Sequence, residues 1–294
     1  MTGKYSGVFV AMVTPFTTSG ELDEGALSDV LDFLLSKKVN GIYAAGTTGE
    51  GVSMTLKQRK KLAEICARKC SGRAVLIVHV GSNVIDEVKE LAIHAQDSGA
   101  DAIAAVPGSY YKPDEEAVVK YYSRISSFTD IPLFIYHIPP MTGVHISAET
   151  AIRIMEEHSS VIGIKDSSGD FRNLQKVVYG RPDGKVVFCG SDDYFLPGLI
   201  TGMDGCVSGY SNAFPESYVH LYKLFTDGEI SKAGVVQKRI SELRELLTNP
   251  RIQPIKEAMK LRGVNAGYVR PPLRHMTEKE ITKLKRDLKA HGAL

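Results

Sequence analysis

Residues 74–106 run Ala74-Val75-Leu76-Ile77-Val78-His79-Val80, then a helical stretch from Val84 to Ser98, then Asp101-Ala102-Ile103-Ala104-Ala105-Val106. Both flanking runs are almost continuously apolar, which is the pattern of parallel strands buried on two faces rather than of half-exposed hairpins. Between them Val84, Val88, Leu91 and Ala95 put apolar groups on one helical face, and Ser82-Asn83 gives the start signal. This strand, helix, strand unit is the repeat of parallel α/β folds.

Outward from this unit the pattern recurs. Further apolar or β-branched runs lie at Gly7 to Thr14, Gly41 to Ala45, Ile131 to Tyr136, Val161 to Lys165, Val186 to Cys189 and Gly205 to Ser208, which brings the number to eight. Helical segments separate them, one opened by a capping box of Thr55 with Gln58. Eight alternations suit a (β/α)8 TIM barrel better than a doubly wound sheet. Ser231 to Leu247, Pro254 to Arg262 and Thr277 to Ala290 look helical without further strands. We therefore expect a barrel over residues 1–225 and a C-terminal helical extension over 226–294, with no linker or charge run marking a boundary before about residue 225.

Composition narrows the function classes. The 36 Lys+Arg against 34 Asp+Glu give a formal charge of +2 without a basic block, so no nucleic-acid footprint is expected. No apolar stretch approaches the roughly 20 residues that cross a bilayer, so no membrane partner is expected. Cys66, Cys70, Cys189 and Cys206 form neither a disulfide framework nor paired zinc knuckles, and no signal-like segment precedes them. The expectation is a soluble protein of the reducing cytoplasm.

In such a barrel chemistry lies at the carboxyl ends of the strands. The polar residues there are Thr14, the loop Gly46-Thr47-Thr48-Gly49-Glu50, His79, Tyr110-Tyr111, Tyr136-His137, Lys165-Asp166, Gly190-Ser191 and Ser208-Gly209. Lys165 is the one lysine ending a predicted barrel strand. A lysine amine desolvated in a partly apolar pocket is nucleophilic toward carbonyls, so a Schiff base is feasible. The plainer reading is a surface lysine or an ion pair with Asp166. Tyr136 ends the preceding strand and is either a proton shuttle for Lys165 or a core tyrosine. The loop pattern GxxGxG is neither a dinucleotide fingerprint nor a P-loop. Its N–H and hydroxyl groups suit a carboxylate, or it is an ordinary βα turn. His79 and His137 could meet in the barrel mouth, but no metal-ligand spacing accompanies them, and no metal is expected. Asp192-Asp193, which with Asp166 could be read as a magnesium cluster, make better sense as a helix start.

Taken together these residues resemble the dihydrodipicolinate synthase / N-acetylneuraminate lyase family of pyruvate-linked class I aldolases. The resemblance runs from Val13-Thr14-Pro15-Phe16 through Gly41 to Glu50 and Tyr136-His137-Ile138-Pro139 to Gly163-Ile164-Lys165-Asp166-Ser167. It implies an imine at Lys165 as the only covalent device, with no cofactor, and Tyr136 as proton shuttle. It also implies that Thr47 and Thr48 hold the pyruvate carboxylate and assist proton relay, with Thr48 among the catalytic residues. Gly190 and Ser208 match strand-end positions around the pocket. Tyr110 corresponds to a tyrosine lent to a neighbouring subunit of a homotetramer. One departure stands out: Met141 occupies the place where dihydrodipicolinate synthases carry an arginine for the carboxylate of aspartate semialdehyde, and a thioether cannot make that bidentate contact. The expected activity is therefore reversible cleavage of a 2-keto-3-deoxy sugar acid, such as 2-keto-3-deoxygluconate, to pyruvate and an aldehyde such as glyceraldehyde. The alternative is 4-hydroxy-tetrahydrodipicolinate synthase. A non-catalytic sugar-acid binder and a metal-dependent aldolase are the readings from other classes.

Overall fold

Each of the eight apolar runs forms a strand: β1 (Gly7–Ala11), β2 (Gly41–Ala44), β3 (Val75–His79), β4 (Ala102–Ala105), β5 (Leu133–His137), β6 (Val161–Asp166), β7 (Val186–Cys189) and β8 (Gly205–Ser208). The structure, a computed structural model, describes residues 3–249 and 252–294. Every strand pairs in parallel with its sequence neighbours and β8 returns to β1, closing the barrel. Around it lie α1 (Glu24–Ser36), α2 (Leu56–Cys70), α3 (Ile85–Asp97), α4 (Glu115–Ser126), the short α5 (Pro139–Thr142), α6 (Ala148–Glu157), α7 (Phe171–Gly180), α8 (Phe195–Thr201) and α9 (Pro215–Thr226). Three helices follow, α10 (Ile230–Leu246), α11 (Gln253–Leu261) and α12 (Glu278–Ala290). Residues 250 and 251, between α10 and α11, lie outside the described residues.

Local signals act as read, with one adjustment. The Thr55 hydroxyl accepts from the Gln58 N–H and the Gln58 side chain accepts from the Thr55 N–H, both at 3.2 Å. Such a reciprocal cap stabilises a helix start by about 1 kcal/mol. The Ser82 hydroxyl instead accepts from the Val84 N–H, ordering the turn before α3 rather than capping its first turn.

Alternation along the strands explains why the runs are apolar throughout. Phe9, Tyr43, Ile77, Phe134, Phe188 and Val207 point inward, whereas Val10, Ile42, Leu76, Val78, Ile103 and Ile135 point out against the helices. The Phe188 ring lies 4.7 Å from that of Phe9 and 5.6 Å from that of Phe134, so aromatic layers fill the barrel interior. The carboxyl end of the barrel is where an inward polar side chain finds space.

The Asp192-Asp193 pair does not cap a helix. Asp192–Tyr194 is a 3-10 turn before α8, and the Asp192 carboxylate turns into the protein. There it accepts from the Ser208 hydroxyl and, at 2.5 Å, from the Tyr218 hydroxyl. A buried carboxylate needs donors, and these two residues supply them. Burial nevertheless raises its pKa above the usual carboxylate range, against the pull of those hydrogen bonds. Asp193 pairs with Arg244 of α10 at 2.7 Å. Among the described residues no helix is long and apolar enough to cross a membrane.

Candidate active site

The register of β5 on β6 sets Tyr136 beside Lys165 and His137 beside Asp166. Because consecutive residues of a strand face opposite sides, the first pair faces into the barrel and the second faces out. This separates Lys165 from Asp166 and removes the ion pair between them as an explanation of the lysine. Asp166 instead accepts from His137 Nδ1 at 2.7 Å, while His137 Nε2 accepts from the Ile146 N–H at 3.1 Å. The other Asp166 oxygen accepts from the N–H and hydroxyl of Ser168.

Lys165 is 3% exposed, and it is not a surface lysine. Its Nζ stands 4.0 Å from the Tyr136 ring centroid and 4.4 Å from that of Tyr43, and both ring faces attract positive charge. The Tyr136 hydroxyl shares a 3.2 Å hydrogen bond with the Thr47 hydroxyl. Tyr43 is buried, and burial first, then Tyr136, holds its phenol well above its ordinary value of 10.0. Among the described residues its hydroxyl has no hydrogen-bond partner.

Thr47 and Thr48 ride on a loop tied back on itself. Ala45 and Glu50 adopt left-handed backbone conformations at φ 58° and 56°, and the Gly51 N–H donates to the Gly46 carbonyl at 3.1 Å. A Cβ on Gly51 would stand 1.8 Å from the Ala45 carbonyl oxygen, so only glycine permits this closure. The Thr14 hydroxyl donates to the Gly49 carbonyl at 2.6 Å, fixing the loop to the end of β1.

These groups border a cavity of about 160 Å³ lined by Lys165, Tyr136, Thr47, Thr48, Ser167, Gly190 and Asp192, with Leu247, Thr248, Ile252 and Ile255 from the C-terminal segment. At Gly190 an added Cβ would lie 2.0 Å from Ser167 Oγ, so the close approach of the two strand ends needs glycine. The cavity offers one amine, several hydroxyls and an apolar wall, a set suited to a small polar carbonyl compound.

Of the residues singled out in the sequence, Lys165, Tyr136, Thr47, Thr48 and Gly190 converge here. Of the positions brought in by the resemblance, three do not line the cavity. Ser208 points to Asp192 because its neighbour Val207 takes the inward position. Tyr110 is 88% exposed, stacked edge-on with Tyr111 outside the cavity. Met141 lies on α5, 42% exposed. Of the two threonines, Thr47 is the one whose hydroxyl meets that of Tyr136. His79 faces inward against Tyr136 and His137 faces outward, so they do not meet. Burial, then the positive charges of Arg59 and Lys165, hold His79 neutral, well below 6.5. Sequence reasoning missed Tyr43, Ser167, the Asp192 side chain and the four C-terminal residues. Strand parity marks Tyr43 as inward; no local signal marks the C-terminal wall.

The profile of the Dihydrodipicolinate synthetase family matches residues 4–291. The chain is 33% identical over 290 residues to the 4-hydroxy-tetrahydrodipicolinate synthase of Methanopyrus kandleri, covering 98% of this chain and 97% of that protein. It is also 33% identical over 297 residues to a probable 2-dehydro-3-deoxy-D-pentonate aldolase of Escherichia coli, covering 99% of each. Among solved structures, a prophage protein of the dihydrodipicolinic acid synthase family from E. coli K12, in complex with pyruvate, superposes with a TM-score of 0.95 at 27% identity over 99% of each chain. Barrel and comparisons together define an enzyme class, the pyruvate-dependent lyases of class I aldolase type. Within it, the chain belongs to the Dihydrodipicolinate synthetase family.

Proposed function

We propose that Lys165 forms an imine with C2 of pyruvate or of a 2-oxo acid and thereby makes or breaks a carbon–carbon bond to an aldehyde. In the condensing direction the amine adds to the ketone, water leaves, and loss of a C3 proton gives an enamine that attacks the aldehyde carbon. In cleavage the C4 hydroxyl loses its proton, the C3–C4 bond breaks and the iminium takes up the electron pair. Tyr136 carries protons, with Thr47 as the hydrogen-bonded partner that orients its hydroxyl. Thr48 is the further hydroxyl available to the carboxylate. The observation that carries this reading is the buried Lys165 amine held between the Tyr43 and Tyr136 rings at the edge of a hydroxyl-lined cavity. The two rings favour the iminium cation as they favour the ammonium.

On the aldehyde, two observations pull apart. The synthase name recurs among the similar relatives, and this supports condensation with aspartate semialdehyde better than the sugar-acid reading. What favours a 2-keto-3-deoxy sugar acid is the uncharged Met141, with the E. coli pentonate aldolase as a relative of equal identity. We further propose a cytoplasmic homotetramer, in keeping with four buried free thiols and with Tyr110, Tyr111 and Val52 exposed in the single chain.

Borohydride reduction in the presence of pyruvate should add one pyruvyl unit at Lys165, read by mass spectrometry, and Lys165→Ala should abolish both adduct and turnover, a loss of roughly 10⁴-fold or more. An adduct that persists in Lys165→Ala removes the reading. Product analysis after supplying pyruvate with aspartate semialdehyde, or with glyceraldehyde, separates the two aldehydes.

A further inference from the structure

Far from Lys165 in sequence, a second lysine is buried beside the hydroxyl loop. Lys256 on α11 has no exposed surface and uses all three of its N–H donors: to Glu50 Oε1 at 2.6 Å, to the Thr14 carbonyl at 2.8 Å and to the Tyr268 carbonyl at 2.5 Å. Glu50 is the last residue of the loop that carries Thr47 and Thr48, and its other oxygen accepts from the Arg270 N–H at 2.8 Å. Two strand ends and the chain beyond α11 therefore meet at one ammonium and one carboxylate. On the same first turn of α11, Ile255 lines the cavity, as does Ile252 just before the helix, itself at φ 71°.

We infer that Lys256 is a positioning residue for the reaction. Through Glu50 it fixes the loop bearing Thr47, whose hydroxyl orients that of Tyr136. Through α11 it seats the Ile252 and Ile255 wall opposite. A buried ion pair contributes little net stability over an apolar substitute, whereas it fixes register, and losing one partner leaves an uncompensated charge. Glu50 itself stands in a left-handed backbone conformation at φ 56°, and its carboxylate is tied on both oxygens, to Lys256 and to the Arg270 N–H. The inference rests on the imine reading of Lys165.

The test uses the full-length enzyme with Lys256→Met and Glu50→Gln. Three quantities are measured in each: the pyruvate concentration that gives half-maximal borohydride adduct, the adduct stoichiometry at saturation, and turnover per trapped site. Lys256→Met should raise half-saturating pyruvate roughly tenfold and lower turnover per trapped site roughly 10- to 100-fold, with stoichiometry near that of the parent. Glu50→Gln keeps the shape and one acceptor for Lys256, and it should shift the same two quantities roughly threefold. If the variants lose only stoichiometry and thermal midpoint while each trapped site behaves as in the parent, Lys256 is merely structural and the inference fails. Should Lys256→Met not fold, parental values in Glu50→Gln overturn it equally. A parent enzyme that forms no adduct removes the Lys165 reading and this inference with it; a parent that traps alongside unaffected variants removes this inference alone.

Discussion

Facing inward, Lys165 meets Tyr136 through a ring contact at 4.0 Å, and the Tyr136 hydroxyl has, among the described residues, one partner at 3.2 Å. Facing outward one residue later, Asp166 holds His137 at 2.7 Å, and both carboxylate oxygens and both ring nitrogens are engaged. The two cross-strand pairs share a register and a depth, yet one is open and one is closed. An amino group lodged between rings beside a cavity stays open to a ligand. A carboxylate and an imidazole with every position taken can only hold the chain. Openness of hydrogen bonding, more than burial or residue type, sets the pair proposed for chemistry apart from the pair that holds the chain.

Breaking each pair should have a different signature. The largest effect is expected from Tyr136→Phe, which keeps the ring over Lys165 and removes the hydroxyl. Turnover should fall roughly 10²- to 10⁴-fold while the borohydride adduct still forms at saturating pyruvate, measured by steady-state kinetics and mass spectrometry. Unchanged turnover would move the proton shuttle to another group. In the outward pair, Asp166→Asn leaves too few acceptors for His137 and Ser168. Unfolding free energy should drop by about 2 kcal/mol, read from urea midpoints, with turnover per folded site within roughly fivefold of the parent. A collapse of turnover without loss of stability would make the outward pair part of the chemistry.

The smallest effect sharpens the inward side. His79 stays neutral in the folded protein, whereas the unfolded chain takes up a proton below the ordinary value of 6.5. The folded state is therefore favoured fully above that pH and loses ground as pH falls below it. One unit lower, this amounts to at most about 1.4 kcal/mol. Denaturation at pH 7.5 and 5.5 should show a smaller acid loss in His79→Phe than in the parent; equal losses would mean that His79 protonates freely.

Much of this was readable in advance, and the limits have physical causes. The strands were legible because burial on both faces makes them apolar without interruption, so Val161 to Lys165 and Gly205 to Ser208 announce their own ends. Lys165, Tyr136 and Thr47 followed because a barrel gathers strand ends. Tyr43 escaped because attention to strand ends overlooks the layer beneath them. Asp192 escaped because an acidic pair after a strand looks the same whether it caps a helix or accepts from Tyr218, which is 26 residues away. Lys256 and Glu50 are 206 residues apart, a pairing that no local pattern encodes. Met141 was read as a departure in identity, and its side chain stands outside the cavity that the single chain encloses.

The tie between the hydroxyl loop and the chain beyond α11 also bears on how the protein is made. Residues 7–208 supply the eight barrel strands, but the anchors at Tyr268 and Arg270 leave the ribosome some 60 residues after β8 has been translated. A nascent chain can therefore assemble its barrel before it has a finished site, and the proposed imine chemistry must wait until the segment beyond α11 has followed the last barrel strand.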